Sequence, residues 1–242
     1  MSERTDLPFY DGRPVEISGR GWLLVLLAVA LGFAALVALP LDGAPLNFVP
    51  PLLFVAIPLG ALAMVAGRHW TAPFRRYGIK QFGQSLGFGV LTIVVSGVAG
   101  YLLSLLTPMA ANPAVTSLEG VGPAELVLFL SRTFIQLIGE ELTTVLPLLA
   151  VLWLCVRRFG LPKRAGLIIA VVVSTLWFAA LHLPTYDWNV LQCLGIIGTA
   201  RIVLTLSYLV TRNLWVSVGA HIINDWTLFL GAYAIGHAPV GA

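Results

Sequence analysis

Glu140 and Glu141 stand side by side in the apolar run FIQLIGEELTTVLPLLAVLWL, residues 134–154, which contains no Lys or Arg. A carboxylate in hydrocarbon is costly unless it faces a partner, a metal or water. Two further polar clusters follow in equally apolar surroundings: His182 in WFAALHLP, and His221, Asn224 and Asp225 in GAHIINDW. Two Glu, two His, an Asn and an Asp can serve as partners for one another. Carboxylate and imidazole together supply proton transfer, donors for a developing oxyanion, or ligands for a metal.

Helical spacing orders these groups. His221 and Asp225 are four residues apart and share one helix face, with Asn224 beside them. Phe178 and His182 are likewise one turn apart. Glu140 and Glu141 lie about 100° apart on a helix, so one faces a site and the other a neighbouring helix or an Arg. A single intramembrane His or Asn is often no more than a helix–helix hydrogen bond. Six such side chains on three apolar segments are harder to explain that way, because intramembrane ionisable residues mark function by default.

The elements that position them are membrane helices. The chain has 242 residues, 58% hydrophobic and 10% charged, against roughly 25% charged in a soluble domain. So much apolar surface does not fit inside one soluble core. The apolar residues come in unbroken blocks rather than alternating, which excludes a β-barrel and predicts an all-α, polytopic bundle. Cys155 and Cys193 form no CxxC and read as small buried residues. The net charge of +3 reflects basic loops, and nucleic acid is not an expected partner.

The expected spans are 22–39, 48–65, 82–106, one long region over 124–156, then 166–183, 190–209 and 214–235. The long region begins at the interface near Arg132 or splits near the glutamates, so the bundle has about seven to eight spans, with a kink at Pro147. Residues 1–20 read as a polar cytoplasmic tail, 21–123 as scaffold spans and 124–236 as the chemical core. Basic residues fall in the tail, in 67–82, in 157–164 and at Arg212. Loops 40–47, 107–123 and 184–189 carry none. This alternation predicts a cytoplasmic N-terminus.

In order, Glu140-Glu141, Phe178-Ala-Ala-Leu-His182 and His221-Ile-Ile-Asn-Asp225 resemble the motifs of the CPBP intramembrane proteases. That family includes the CAAX prenyl endopeptidases and Abi-domain proteins, and the resemblance covers about residues 124–234. It implies an integral protein of a bacterial-type plasma membrane that cleaves a membrane-associated, CAAX-type or other peptide. It implies Glu140 as the base that activates water, His182 sharing its proton, and His221 with Asp225 or Asn224 polarising the scissile carbonyl. Two positions depart from the family pattern. Val145 stands where an Arg usually follows the second Glu, leaving Glu141 to find Arg201 or Arg132. Asp225 stands where Asn is common, and an ionised Asp cannot donate. A Zn²⁺ variant would use Glu140, His182, His221 and Asp225, although no HExxH is present. The alternatives are a proton- or ion-coupled transporter and an inactive relative that only binds.

Overall fold

The computed structural model describes residues 6–237. Nine α-helices carry the described residues: α1 (Gly19–Ala38), α2 (Val49–Ala66), α3 (Ile79–Ser104), α4 (Pro113–Thr116), α5 (Pro123–Trp153), α6 (Lys163–Leu181), α7 (Val190–Gln192), α8 (Gly198–Thr211) and α9 (Leu214–Gly236). No strand occurs among them.

Six segments are long and apolar enough to cross a membrane: Gly19–Ala38, Leu46–His69, Ile79–Ser104, Pro123–Arg158, Lys163–Leu181 and Val190–Thr211. Helix α9 has 23 residues, about 35 Å of helix. Its length is sufficient, but His221, Asn224 and Asp225 depress its hydropathy below that of the six. The all-helical membrane bundle is therefore as expected. The long region does not split. It runs as one helix through Pro147 and continues in a π turn, Leu154–Arg158, so the eighth element does not arise. One physical reason is burial. Every residue from Glu141 to Ala150 is buried, and packing on all sides holds the helix despite the missing Pro147 N–H.

Helix α5 is the axis of the bundle. In its most apolar 18-residue stretch 78% of residues are buried, against 44% or less in the corresponding stretches of the other five spans. It packs on α1, α2, α6 and α9, while α8 and α3 pack against α9 from outside. Leu142, Val145, Leu146, Leu148, Leu149 and Leu152 of α5 are wholly buried in the apolar core. The described part of the N-terminal segment joins that core: Leu7, Phe9, Tyr10 and Ile17 are buried, and Asp6 pairs with Lys163 at the start of α6. Burial alone would raise the Asp6 carboxyl, but hydrogen bonds from Lys163, Tyr10 and the Leu7 N–H hold it at about 2.

Local capping fixes the helix registers that matter. Gly122 precedes α5, its N–H donating to Glu125 Oε2 at 2.7 Å. Asn213 precedes α9 and accepts from the N–H groups of Trp215 at 3.2 Å and Arg75 at 3.0 Å. Its amide donates to the Arg76 carbonyl at 3.1 Å. That side chain ties the α8–α9 turn to the α2–α3 connection and so sets the register of His221. At the middle of α5, Gly139 lets α2 approach closely. A Cβ there would collide with the Phe54 ring.

Candidate active site

The two glutamates have different surroundings. Glu141 is fully buried and saturated with donors. Arg201 of α8 grips it with both arms, Nη1 on Oε1 at 2.6 Å and Nη2 on Oε2 at 3.0 Å. Ser217 donates to Oε2, and His221 Nδ1 lies 2.8 Å from Oε1. Arg201 is itself fully buried, and its guanidinium stacks on the Phe178 ring at 5.0 Å. This bidentate, doubly satisfied geometry makes a buried ion pair tolerable. Arg201 thus supplies from α8 the cation that Val145 does not supply from α5, while Arg132 lies elsewhere, on the cavity described below.

His221 connects the two glutamates. Because Glu141 accepts at Nδ1, the other ring nitrogen, Nε2, faces outward. It lies 3.7 Å from Glu140 Oε2 and 3.6 Å from Asp225 Oδ1. Asn224 Nδ2 donates to the same Asp225 oxygen at 2.8 Å. The two glutamates point in different directions, as a 100° offset requires, yet both reach one imidazole, from opposite ring nitrogens.

Glu140 is the carboxylate that reaches open space. It lines a cavity of about 510 Å³, with Arg132, Gln136 and Thr143 on the same face of α5. Gln136 Nε2 donates to Glu140 Oε1 at 2.9 Å. His182, at the end of α6, lines the same cavity. Its Nδ1 donates to the Phe178 carbonyl at 2.8 Å, which leaves Nε2 as the acceptor. The Phe178 ring lies 4.6 Å from the His182 ring and 6.4 Å from the His221 ring, so one aromatic side chain spaces both imidazoles and the Arg201 guanidinium.

The structure therefore brings Glu140, Glu141, His221, Asn224 and Asp225 into one contact network and sets His182 on the cavity that Glu140 faces. His182 and His221 lie toward opposite helix ends, and Phe178, one turn inside His182, bridges the gap. Three contributors escape sequence reasoning. Gln136 is one turn before Glu140, and Ser217 is one turn before His221, so a search for polar residues at four-residue spacing would have found both. Tyr186 is the third. It is buried in the turn after α6, and burial together with the charges of Asp225 and Glu140 pushes its hydroxyl up to about 12. No sequence pattern placed it near them.

Among the described residues, no three His, Cys, Asp or Glu side chains converge as metal ligands would. His221 Nδ1 and His182 Nδ1 are engaged with Glu141 and the Phe178 carbonyl, which leaves Nε2 of each ring without a hydrogen bond. Cys155 and Cys193 are free and buried, as expected.

A cluster of carboxylate and imidazole groups enclosed by long apolar helices is what an integral membrane protein holds at a functional site. Residues 122–227, a little under half of the chain, match the family model described as type II CAAX prenyl endopeptidase Rce1-like. That segment carries all three motifs, and the match agrees with the resemblance to the CPBP proteases. Neither a curated protein nor a solved structure matches the chain significantly.

Proposed function

We propose that this protein is an intramembrane endopeptidase that hydrolyses a peptide bond of a membrane-associated polypeptide with a water activated by Glu140. The observation that carries this reading is the division of labour between the adjacent carboxylates. Glu141 is consumed by Arg201, Ser217 and His221, whereas Glu140 faces the cavity with a free oxygen edge.

Amide hydrolysis needs a base, a held water and donors aimed at the developing oxyanion. Water in the cavity sits between Glu140 and the acceptor nitrogen of His182. Its oxygen attacks the scissile carbonyl carbon as Glu140 takes one proton, and the carbonyl becomes a tetrahedral oxyanion. Gln136 has a second amide N–H and Arg132 is a cation lining the same cavity, which supports both as donors to that oxyanion. Collapse breaks the C–N bond, and the proton held by Glu140 passes to the departing nitrogen. His221, fixed by Glu141, steadies Glu140 from behind. In that role it is a positioning residue, with Asp225 and Asn224 completing its surroundings.

The test uses purified protein in detergent and a set of fluorogenic peptides joined to a single apolar anchor. Cleavage by the wild type, absent when protein is omitted, supports the reading. Proton flux in liposomes without cleavage of any anchored peptide would replace it with transport, and peptide binding without cleavage would indicate an inactive relative.

A further inference from the structure

We propose that the site is reached from the membrane face opposite the basic loops, and that its substrate is a polypeptide segment bordering an apolar anchor at that face. This deepens the endopeptidase reading and rests on it.

The chain has 14 Lys and Arg residues. Two of them, Arg132 and Arg201, lie within helices α5 and α8. All the others fall between the N-terminus and the first turn of α1, between α2 and the first turn of α3, between the end of α5 and the first turn of α6, or at the α8–α9 turn. Helix order places the described parts of these four regions at one end of the bundle. The connections at the other end, α1–α2, α3–α5 and α6–α7, contain Asp42, Glu119 and Asp187 and no Lys or Arg. A positive excess marks the cytoplasmic side, so the second end faces away from the cytoplasm.

The cavity opens at that second end. Its rim comes from the end of α1, the α1–α2 connection and the turn after α6, including Val37, Asp42, Asn47 and Thr185. None of its lining comes from the basic connections. Between Glu140 and Trp153, the end of α5 nearest the basic face, the helix is packed into the apolar core through Leu142, Val145, Leu146, Leu148, Leu149 and Leu152. The rim is not polar all round. Val37 and Leu39 are exposed, and they carry apolar surface from the cavity onto the flank of α1. An anchored chain can rest its apolar part there while an extended segment reaches Glu140 beside Arg132.

The test uses single cysteines in the full-length protein, whose own two cysteines are buried. Thr185→Cys sits at the cavity rim and Phe159→Cys in an exposed basic loop. A bulky, membrane-impermeant maleimide is applied to intact cells and to inverted vesicles, and cleavage of an anchored fluorogenic peptide is then measured after solubilisation. The expected result is labelling of Thr185→Cys from outside only and of Phe159→Cys from inside only. Labelled Thr185→Cys loses cleavage relative to its unlabelled form, and labelled Phe159→Cys does not. Labelling with the opposite sidedness overturns the orientation. Full activity after rim labelling, or loss after labelling at residue 159, overturns the access route. Correct sidedness with no cleavage by any unlabelled protein instead refutes the endopeptidase reading and leaves the orientation standing.

Discussion

Replacing Arg201 by Met tests the anchor beneath the site. The substitution keeps much of the side-chain volume and removes both arms that hold Glu141. Removing one member of a buried pair costs about 3–5 kcal/mol, because the other charge stays buried. His221 and Ser217 still contact Glu141, so the loss should fall at the lower end, about 3 kcal/mol. Replacing both members with apolar residues is often neutral, so Glu141→Leu combined with Arg201→Met should recover most of that loss. Unfolding in detergent, followed by tryptophan fluorescence over increasing denaturant, measures all three stabilities. Cleavage should fall in all variants, because His221 loses its fixed partner, even where stability returns. An Arg201→Met protein as stable as the wild type would refute the buried-pair account. So would a double variant no more stable than the single one.

Gly139→Ala should destabilise by about 1–3 kcal/mol through overpacking against Phe54, and shortening that ring with Phe54→Leu in the same protein should restore part of the loss in the same denaturant assay. Asp6→Asn should cost less than about 1 kcal/mol, since the pair with Lys163 is partly exposed. The Asp6 carboxyl is depressed in the fold, so its stabilisation is fully present above the ordinary value of 3.8 and is lost as pH falls through about 2; wild type and variant should converge in acid. Chelation should leave cleavage unchanged, because no three His, Cys, Asp or Glu donors converge among the described residues. Loss on chelation with recovery on added Zn²⁺ would establish the metal variant instead.

Much of this site was legible in the sequence because hydrocarbon makes polar residues conspicuous. Glu140, His182, His221 and Asp225 stand out against apolar neighbours, and the four-residue spacing of His221 and Asp225 gives a shared face without any coordinates. The partner of Glu141 was not legible. A family pattern places its cation one turn along the same helix, whereas here it comes from Arg201 on α8, and no local spacing encodes a contact 60 residues away. The alternatives Arg201 and Arg132 separate only once the helices are packed. The continuity of α5 was also hidden. Proline and length both argue for a break, and burial on all sides overrides the local preference. Helix α9 shows the converse. Its polar residues make it the least membrane-like long helix by composition, yet they are what places it against the site.

Glu140→Gln is the most direct measure of the central claim. The amide preserves shape and the contact region of Gln136 and His221 but cannot accept the water proton. General-base catalysis contributes about 10²–10⁴-fold, so cleavage of the anchored fluorogenic peptide should fall by at least that order while binding and unfolding stability stay near wild type. Undiminished cleavage by the Glu140→Gln protein would contradict the account, since the water would then be activated by some other group.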